Sequence, residues 1–255
     1  MKIGISFTGG GARGISHLGV MQALQEVGIE ASYFTGTSAG AIVGALLATE
    51  MSPRKILMEI NSLNLLKYFR PAISWSGLIK MDKVEDLLHQ FLPEDSFDSL
   101  KIPLAISATD YLNGKSVIFD KGPLIKPIMA ASSIPFVFDP VEINGVKYVD
   151  GGIMNNLPVE PLMENCDFII GSNCNYGGPI ETFGSMRDVL ERSLLLAINQ
   201  NVQNRAKFCD VFIDPPEIRK FKIYHVNKAD ELFDVGYQFT KELIKTDIAL
   251  KKILK

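Results

Sequence analysis

Tyr33-Phe34-Thr35-Gly36-Thr37-Ser38-Ala39-Gly40-Ala41-Ile42-Val43-Gly44 joins a β-prone run, a turn of small residues and the start of an aliphatic helix. Aromatic and β-branched residues favour the strand over residues 31–35. The Ala- and Leu-rich run over residues 39–50 favours a helix. Between them, Gly36-x-Ser38-x-Gly40 has the nucleophile-elbow pattern in the strand-to-helix context that the pattern requires. So sharp a turn strains the serine backbone, and glycine on both sides leaves room for neighbouring chain. The hydroxyl then stands at a helix N-terminus, where free N–H groups and the helix dipole favour developing negative charge. Ser38 is therefore the expected nucleophile of a serine hydrolase cleaving carboxylic esters, with Gly36 and Gly40 supporting the turn. The plainer alternative is an ordinary Ser/Gly helix start, which the position between strand and helix disfavours.

Upstream, residues 2–8 read as a strand and residues 15–27 as a helix, with Leu18, Met21, Leu24 and Val27 at helical spacing and Gly28 as its stop. The loop between them, Gly9-Gly10-Gly11-Ala12-Arg13-Gly14, is literally G-x-G-x-x-G, the fingerprint of a dinucleotide site. Such a site wants an acidic residue at the end of the second strand, roughly 20 residues on. Here that strand holds no acid and runs straight into the serine turn, while Glu30 precedes it. A hydrolase uses the same loop differently. Consecutive glycines expose N–H groups to an oxyanion, and the N–H of Ala39, after the nucleophile, adds a further donor. Arg13 either holds this loop through a buried hydrogen bond or faces an anionic head group.

Downstream, helices are expected over residues 81–92, 123–131, 185–207 and 229–252, and strands over residues 102–109, 116–119, 141–143, 146–149, 168–171 and 211–214. Asn113-Gly114 and Asn144-Gly145 mark hairpin turns. Alternating strands and helices predict an α/β fold, a largely parallel central sheet covered by helices on both faces, as a three-layer sandwich. No repeat or linker divides the chain, so residues 1–255 read as one catalytic domain. Residues 60–82 are irregular and aromatic. There Leu65, Leu66, Tyr68, Phe69 and Trp75 suit either a lid and peripheral membrane contact or simple packing over the sheet edge.

Bulk properties exclude several classes. With 47% hydrophobic and 22% charged residues the chain can bury a sizeable core, and a net charge of -3 gives no electrostatic case for a nucleic-acid partner. Cys166, Cys174 and Cys209 form no CxxC pair and read as buried thiols of a reducing compartment rather than a zinc or disulfide framework. The N-terminus is too short in apolar residues for a signal peptide, and the run over residues 39–48 is about half a membrane span. These point to a cytoplasmic location with at most peripheral membrane contact. The sequence carries no signal for an oligomeric state.

A general base is harder to find. A Ser-His-Asp hydrolase of this kind places its histidine late in the chain. Of the three histidines, His17 lies beside the glycine loop, His89 on a helix with ordinary surface neighbours, and His225 in a polar stretch before the last helix. Only His225 has the right chain order. Asp150 ends a strand and opens Asp150-Gly151-Gly152, whose glycines permit close backbone approach, although the same residues make an ordinary turn. A carboxylate near its usual value of about 3.9 is a weak base at neutral pH and needs desolvation or a preformed bond to Ser38.

The four blocks Gly9-Gly10-Gly11-Ala12-Arg13-Gly14, Gly36-Thr37-Ser38-Ala39-Gly40, Ala131-Ser132-Ser133-Ile134-Pro135 and Asp150-Gly151-Gly152 occur in the order of the patatin-like phospholipases, which this chain resembles from Lys2 to the final helix. The segment Ile153-Met154-Asn155-Asn156-Leu157-Pro158 is also similar. The resemblance, closest to short bacterial members, implies a Ser-Asp dyad without histidine. Ser38 is then the nucleophile, Asp150 the proton acceptor, and the glycine loop with Ala39 the oxyanion hole. It implies a lipid or acyl-ester substrate and no metal or organic cofactor. An acyltransferase and a non-enzymatic acyl-lipid binder are the competing functions.

Overall fold

The computed structural model describes residues 1–63, 82–179 and 184–254. Its strands are β1 (Ile3–Phe7), β2 (Tyr33–Gly36), β3 (Leu104–Asp110), β4 (Lys115–Phe119), β5 (Val141–Ile143), β6 (Val146–Asp150), β7 (Phe168–Ser172) and β8 (Val211–Ile213). Its helices are α1 (Ser16–Glu26), α2 (Ala39–Ala48), α3 (Pro53–Ser62), α4 (Asp82–Phe91), α5 (Ile125–Ala131), α6 (Glu160–Asn165), α7 (Met186–Ala206), α8 (Ala229–Thr246) and α9 (Ile248–Ile253).

All eight strands lie in one sheet, ordered β5-β6-β3-β2-β1-β7-β8, with β4 also on β3. The body β3-β2-β1-β7-β8 is parallel, as expected from the alternation of strands and helices. On one side β4, β5 and β6 extend it antiparallel, so the sheet is mixed. Hairpin turns make the β3-β4 and β5-β6 pairs, and β6 then closes onto β3 over a long connection. Asn144 (φ 52°) and Gly145 (φ 80°) take the left-handed backbone that a tight hairpin needs, and Gly114 does the same after β3.

The period-2 alternation of a strand divides the core in two. Ile3, Ile5 and Phe7 of β1, Phe34 of β2, Phe168 and Ile170 of β7, and Val211 and Ile213 of β8 join one large cluster with residues of α1, α2 and α8. The intervening Ile169, Phe212 and Tyr33 face a smaller cluster built on Leu157, Val159, Leu162 and Val202. Both faces are therefore covered, and β1 and β7 are buried along their whole lengths.

The helix expected over residues 229–252 is broken at Asp247, which takes an extended backbone and accepts the N–H of Leu250 to cap α9. Ser185 starts α7 through a capping box with Asp188. Along α7, Met186, Leu190, Leu194 and Leu196 stay exposed. Leu65, Leu66, Tyr68, Phe69 and Trp75 lie outside the described residues, as does most of the 60–82 segment. No helix among the described residues is long and apolar enough to cross a membrane.

A strand residue has two lateral neighbours, and β3 shows how these position the site. Phe119 and Gly36 flank Ile106; Val117 and Asp150 flank Ala108. With β4 filling one edge, β2 and β6 meet nearly end to end along the other. Only Ser107 separates the level where β2 stops from the level where β6 stops. The chain leaving β2 toward Ser38 and the chain leaving β6 toward Gly151 therefore diverge from one point.

Candidate active site

Ser38 follows β2 with φ 53° and ψ −125°, a left-handed conformation that side chains rarely adopt. Such a backbone costs about 1–3 kcal/mol and persists only where its surroundings enforce it. Here they do. Thr37 donates its N–H to Phe7 O (3.2 Å) and its hydroxyl to Asn155 O (2.9 Å), while Gly40 N–H closes the turn onto Thr37 O at 2.8 Å. A Cβ on Gly36 would stand 2.7 Å from Ala41 N, and one on Gly40 would meet the Phe7 carbonyl. The glycines expected beside Ser38 are thus required by close backbone crossing.

Asp150 ends β6 and is 8% exposed. The Ser38 hydroxyl lies beside its carboxylate and favours the charged form, and Oδ1 accepts the Gly152 N–H at 2.8 Å. Its backbone is held at both ends, Asp150 N–H donating to Ser133 O (2.9 Å) and the Thr109 hydroxyl to Asp150 O (2.9 Å). Burial pushes its pKa from 3.8 up to about 6, against the smaller opposing pull of the Ser38 and Gly152 bonds. Desolvation therefore makes this carboxylate a stronger base than an exposed one while leaving it ionised at neutral pH.

The glycine loop lies on the serine turn. A Cβ on Gly9 would fall 2.7 Å from Ser38 Cβ, and one on Gly14 would fall 2.6 Å from Ala39 Cβ. Its backbone groups divide into two sets. Gly9 N–H donates to Asn156 Oδ1 (3.0 Å) and Ala12 N–H to Ile223 O (2.7 Å). The N–H groups of Gly10, Gly11 and Ala39 have no protein acceptor among the described residues, so these three are the candidate oxyanion donors. Arg13 is buried and donates from Nε to Phe221 O at 2.8 Å, the loop-holding alternative of the two open for it.

Each histidine has a place. His17 is fully buried beneath the loop, with Nε2 2.9 Å from Thr8 O and Nδ1 2.8 Å from Ser172 Oγ. A carbonyl only accepts, so Nε2 carries the proton and Nδ1 receives the Ser172 hydroxyl. Desolvation lowers its pKa to about 4, which keeps it neutral. His225 accepts the Lys222 N–H on Nδ1 (3.1 Å), and His89 is exposed. Ser38 meets a carboxylate rather than an imidazole.

Of the cysteines only Cys174 is buried; Cys166 and Cys209 are partly exposed, and all three are free thiols. Cys174 sits under the glycine loop, where burial pushes its thiol to about 11.

Four asparagines around the site escaped the sequence reading as functional residues. Asn156 clamps Gly9 through both amide atoms, Nδ2 reaching Gly9 O at 3.3 Å, and Asn175 Nδ2 donates to the same carbonyl. Asn173 joins Thr8 to Asp214. Asn201 of α7 reaches both the Asp150 turn and Asn156. Asn156 lies in a segment that stood out in the sequence. The other three lie in stretches with no pattern to mark them.

A strained serine between strand and helix, set in a three-layer α/β sandwich, defines a protein of the nucleophile-elbow class. Comparison with known proteins narrows the class. Residues 5–163 match the patatin-like phospholipase family, and the chain belongs to that family. An uncharacterised NTE family protein of Mycobacterium tuberculosis is 34% identical over 177 residues, 68% of this chain and 49% of the relative. The neuropathy target esterase of Drosophila melanogaster is 25% identical over 284 residues, 96% of this chain and 20% of that protein. The chain thus spans about half the length, or less, of these relatives. VipD from Legionella pneumophila shares the fold with a TM-score of 0.64 at 14% identity, covering 96% of this chain and 66% of that one.

Proposed function

We propose that the protein is a serine lipid acyl hydrolase of phospholipase A, lysophospholipase or esterase type, with Ser38 as nucleophile and Asp150 as base. The observation that carries this reading is a buried, desolvated carboxylate beside the Ser38 hydroxyl at a strained elbow. Among relatives, a protein of Cryptococcus neoformans named as a lysophospholipase is 30% identical over 176 residues, 64% of this chain and 10% of that protein, in keeping with a lipid ester substrate.

In the first step Ser38 Oγ attacks the acyl carbonyl carbon while its proton passes to Asp150. The carbonyl oxygen becomes an oxyanion facing the N–H groups of Gly10, Gly11 and Ala39, each worth about 3 kcal/mol in the transition state. Collapse breaks the ester bond, and the proton on Asp150 goes to the departing alcohol oxygen. Water then attacks the acyl-serine, gives its proton to Asp150, and a fatty acid leaves as Ser38 regains that proton. The mechanism uses a single carboxylate in turn as base and acid.

Incubation of the folded protein with a fluorophosphonate probe is expected to label Ser38 covalently, as read by peptide mass spectrometry. No label at that residue would sink the nucleophile assignment. Profiling acyl release from a lipid extract, wild type against Ser38→Ala, identifies the head group and chain length. No difference between the two would favour a non-turnover lipid binder, and transfer to an added alcohol would favour an acyltransferase. His89→Gln and His225→Gln are each expected to keep ester hydrolysis within about tenfold of wild type. A His225→Gln loss as large as that of Asp150→Asn would restore a triad.

A further inference from the structure

We propose that Asn201, on α7 and beyond the stretch matched to the family, is a positioning residue that sets the Asp150 turn against the glycine loop. The inference rests on the assignment of Ser38 and Asp150 given above. A primary amide carries a donor and an acceptor in fixed relation, and Asn201 uses both on the site. Its Oδ1 accepts the Asn156 N–H at 2.9 Å, and its Nδ2 donates to Gly152 O at 2.9 Å, with Ile153 O at 3.4 Å.

Each of those contacts leads directly to a reacting element. Gly152, whose carbonyl Asn201 holds, gives its own N–H to Asp150 Oδ1 at 2.8 Å. Asn156, whose N–H Asn201 receives, is 2% exposed and grips Gly9 by both its N–H and its carbonyl. A single side chain thus joins the turn that orients the base to the clamp that seats the oxyanion loop. Gly152 is confined between the same groups: a Cβ there would be 2.9 Å from Asp150 Oδ1 and 3.0 Å from Asn156 Oδ1. α7 has another anchor nearby, since Arg205 Nε pairs with Glu160 Oε1 at 2.7 Å. The helix can therefore stay docked without the Asn201 bonds, and the two roles separate by mutation.

The test uses the full chain and a soluble short-chain p-nitrophenyl ester. Asn201→Ala is expected to lower kcat by about tenfold to a hundredfold with KM within about threefold, since misplacing catalytic groups slows chemistry more than binding. Labelling of Ser38 by the fluorophosphonate should slow by a similar factor. Asn201→Asp keeps the acceptor for Asn156 N–H but turns a second acceptor toward Gly152 O, so its kcat should fall at least as far as that of Asn201→Ala. Arg205→Ala, which removes the Glu160 pair and a bond to the Asn201 main-chain carbonyl but leaves both Asn201 side-chain bonds, should keep kcat within about twofold even if it lowers Tm. Should Asn201→Ala fail to fold, Asn201→Asp against Arg205→Ala at matched Tm loss carries the same comparison. Wild-type kcat in the Asn201 variants, or an equal loss in Arg205→Ala, overturns the inference and leaves the Ser38–Asp150 assignment standing. Turnover retained by Ser38→Ala would overturn that assignment and this inference with it.

Discussion

Asp150→Asn is expected to remove ester hydrolysis by about two to four orders of magnitude and to leave a more stable protein. The amide oxygen can still accept the Gly152 N–H and its NH2 can donate to the Ser38 oxygen, so the turn survives, but the side chain cannot take a proton. Residual turnover then comes from the oxyanion donors and from bulk water. The stability gain follows from the burial that raises the carboxyl pKa from 3.8 to about 6. A group with a raised folded pKa adds stability below its unfolded value, and that contribution is lost as pH climbs through the folded value. Above about pH 6 the wild type therefore carries a desolvation penalty on the order of 3 kcal/mol that asparagine avoids. At about 2–4 °C per kcal/mol, Tm of the variant should exceed that of wild type by several degrees at pH 8 and converge with it near pH 4. Wild-type kcat/KM should fall as pH drops through about 6, where Asp150 takes up its proton. A variant that keeps its turnover, or a Tm difference flat in pH, would remove Asp150 from its role.

Ser38→Ala is expected to abolish turnover by about four to six orders of magnitude while ester binding persists. Among the described residues no second hydroxyl lies on the Asp150 carboxylate, and no acyl-enzyme can form without Oγ. Alanine inherits the strained backbone at φ 53°, so this variant should melt close to wild type. Glycine takes that conformation freely, and Ser38→Gly should be equally inactive but more stable by about 1 kcal/mol. Steady-state rates with a p-nitrophenyl ester and paired thermal melts give both readings. Turnover in Ser38→Ala above about one part in a hundred would place the nucleophile elsewhere.

What the sequence disclosed follows the range of the interactions involved. The elbow is local: five residues set its turn, and the strand and helix beside it carry their own propensities. The parallel body was legible for the same reason, through alternating elements. The β3-β4 and β5-β6 hairpins were legible in their Asn-Gly turns, but the docking of β6 on β3 was not, because it joins residues some forty apart in the chain. The break at Asp247 was hidden by an apolar pattern that continues on both sides of the cap. Within the site, Ser38 stood out in its glycine motif, whereas Asp150, in a segment that also reads as an ordinary turn, was marked only by the family resemblance. The division of the loop did not stand out, since sequence cannot say that Asn156 occupies Gly9 N–H and leaves Gly10 and Gly11 open. The loop-holding bond of Arg13, from Nε to Phe221 O, joins residues far apart in the chain and leaves no local signal in the sequence.

The end-to-end meeting of β2 and β6 along β3 bears on cooperativity. Ser38 and Asp150 hang from the ends of strands that share one edge of one central strand, with Ser107 alone between them. Many active sites reside in loops that open well below the free energy of global unfolding. Here Ser38 and Asp150 are anchored to pairing at the middle of the sheet, so the proposed nucleophile and base are expected to share the protection of the core strands. Local opening can reach only what surrounds them, namely the glycine loop and the end of α7. Since the candidate oxyanion donors and Asn201 lie in that softer layer, its loosening slows turnover while the Ser38–Asp150 pair stays in place.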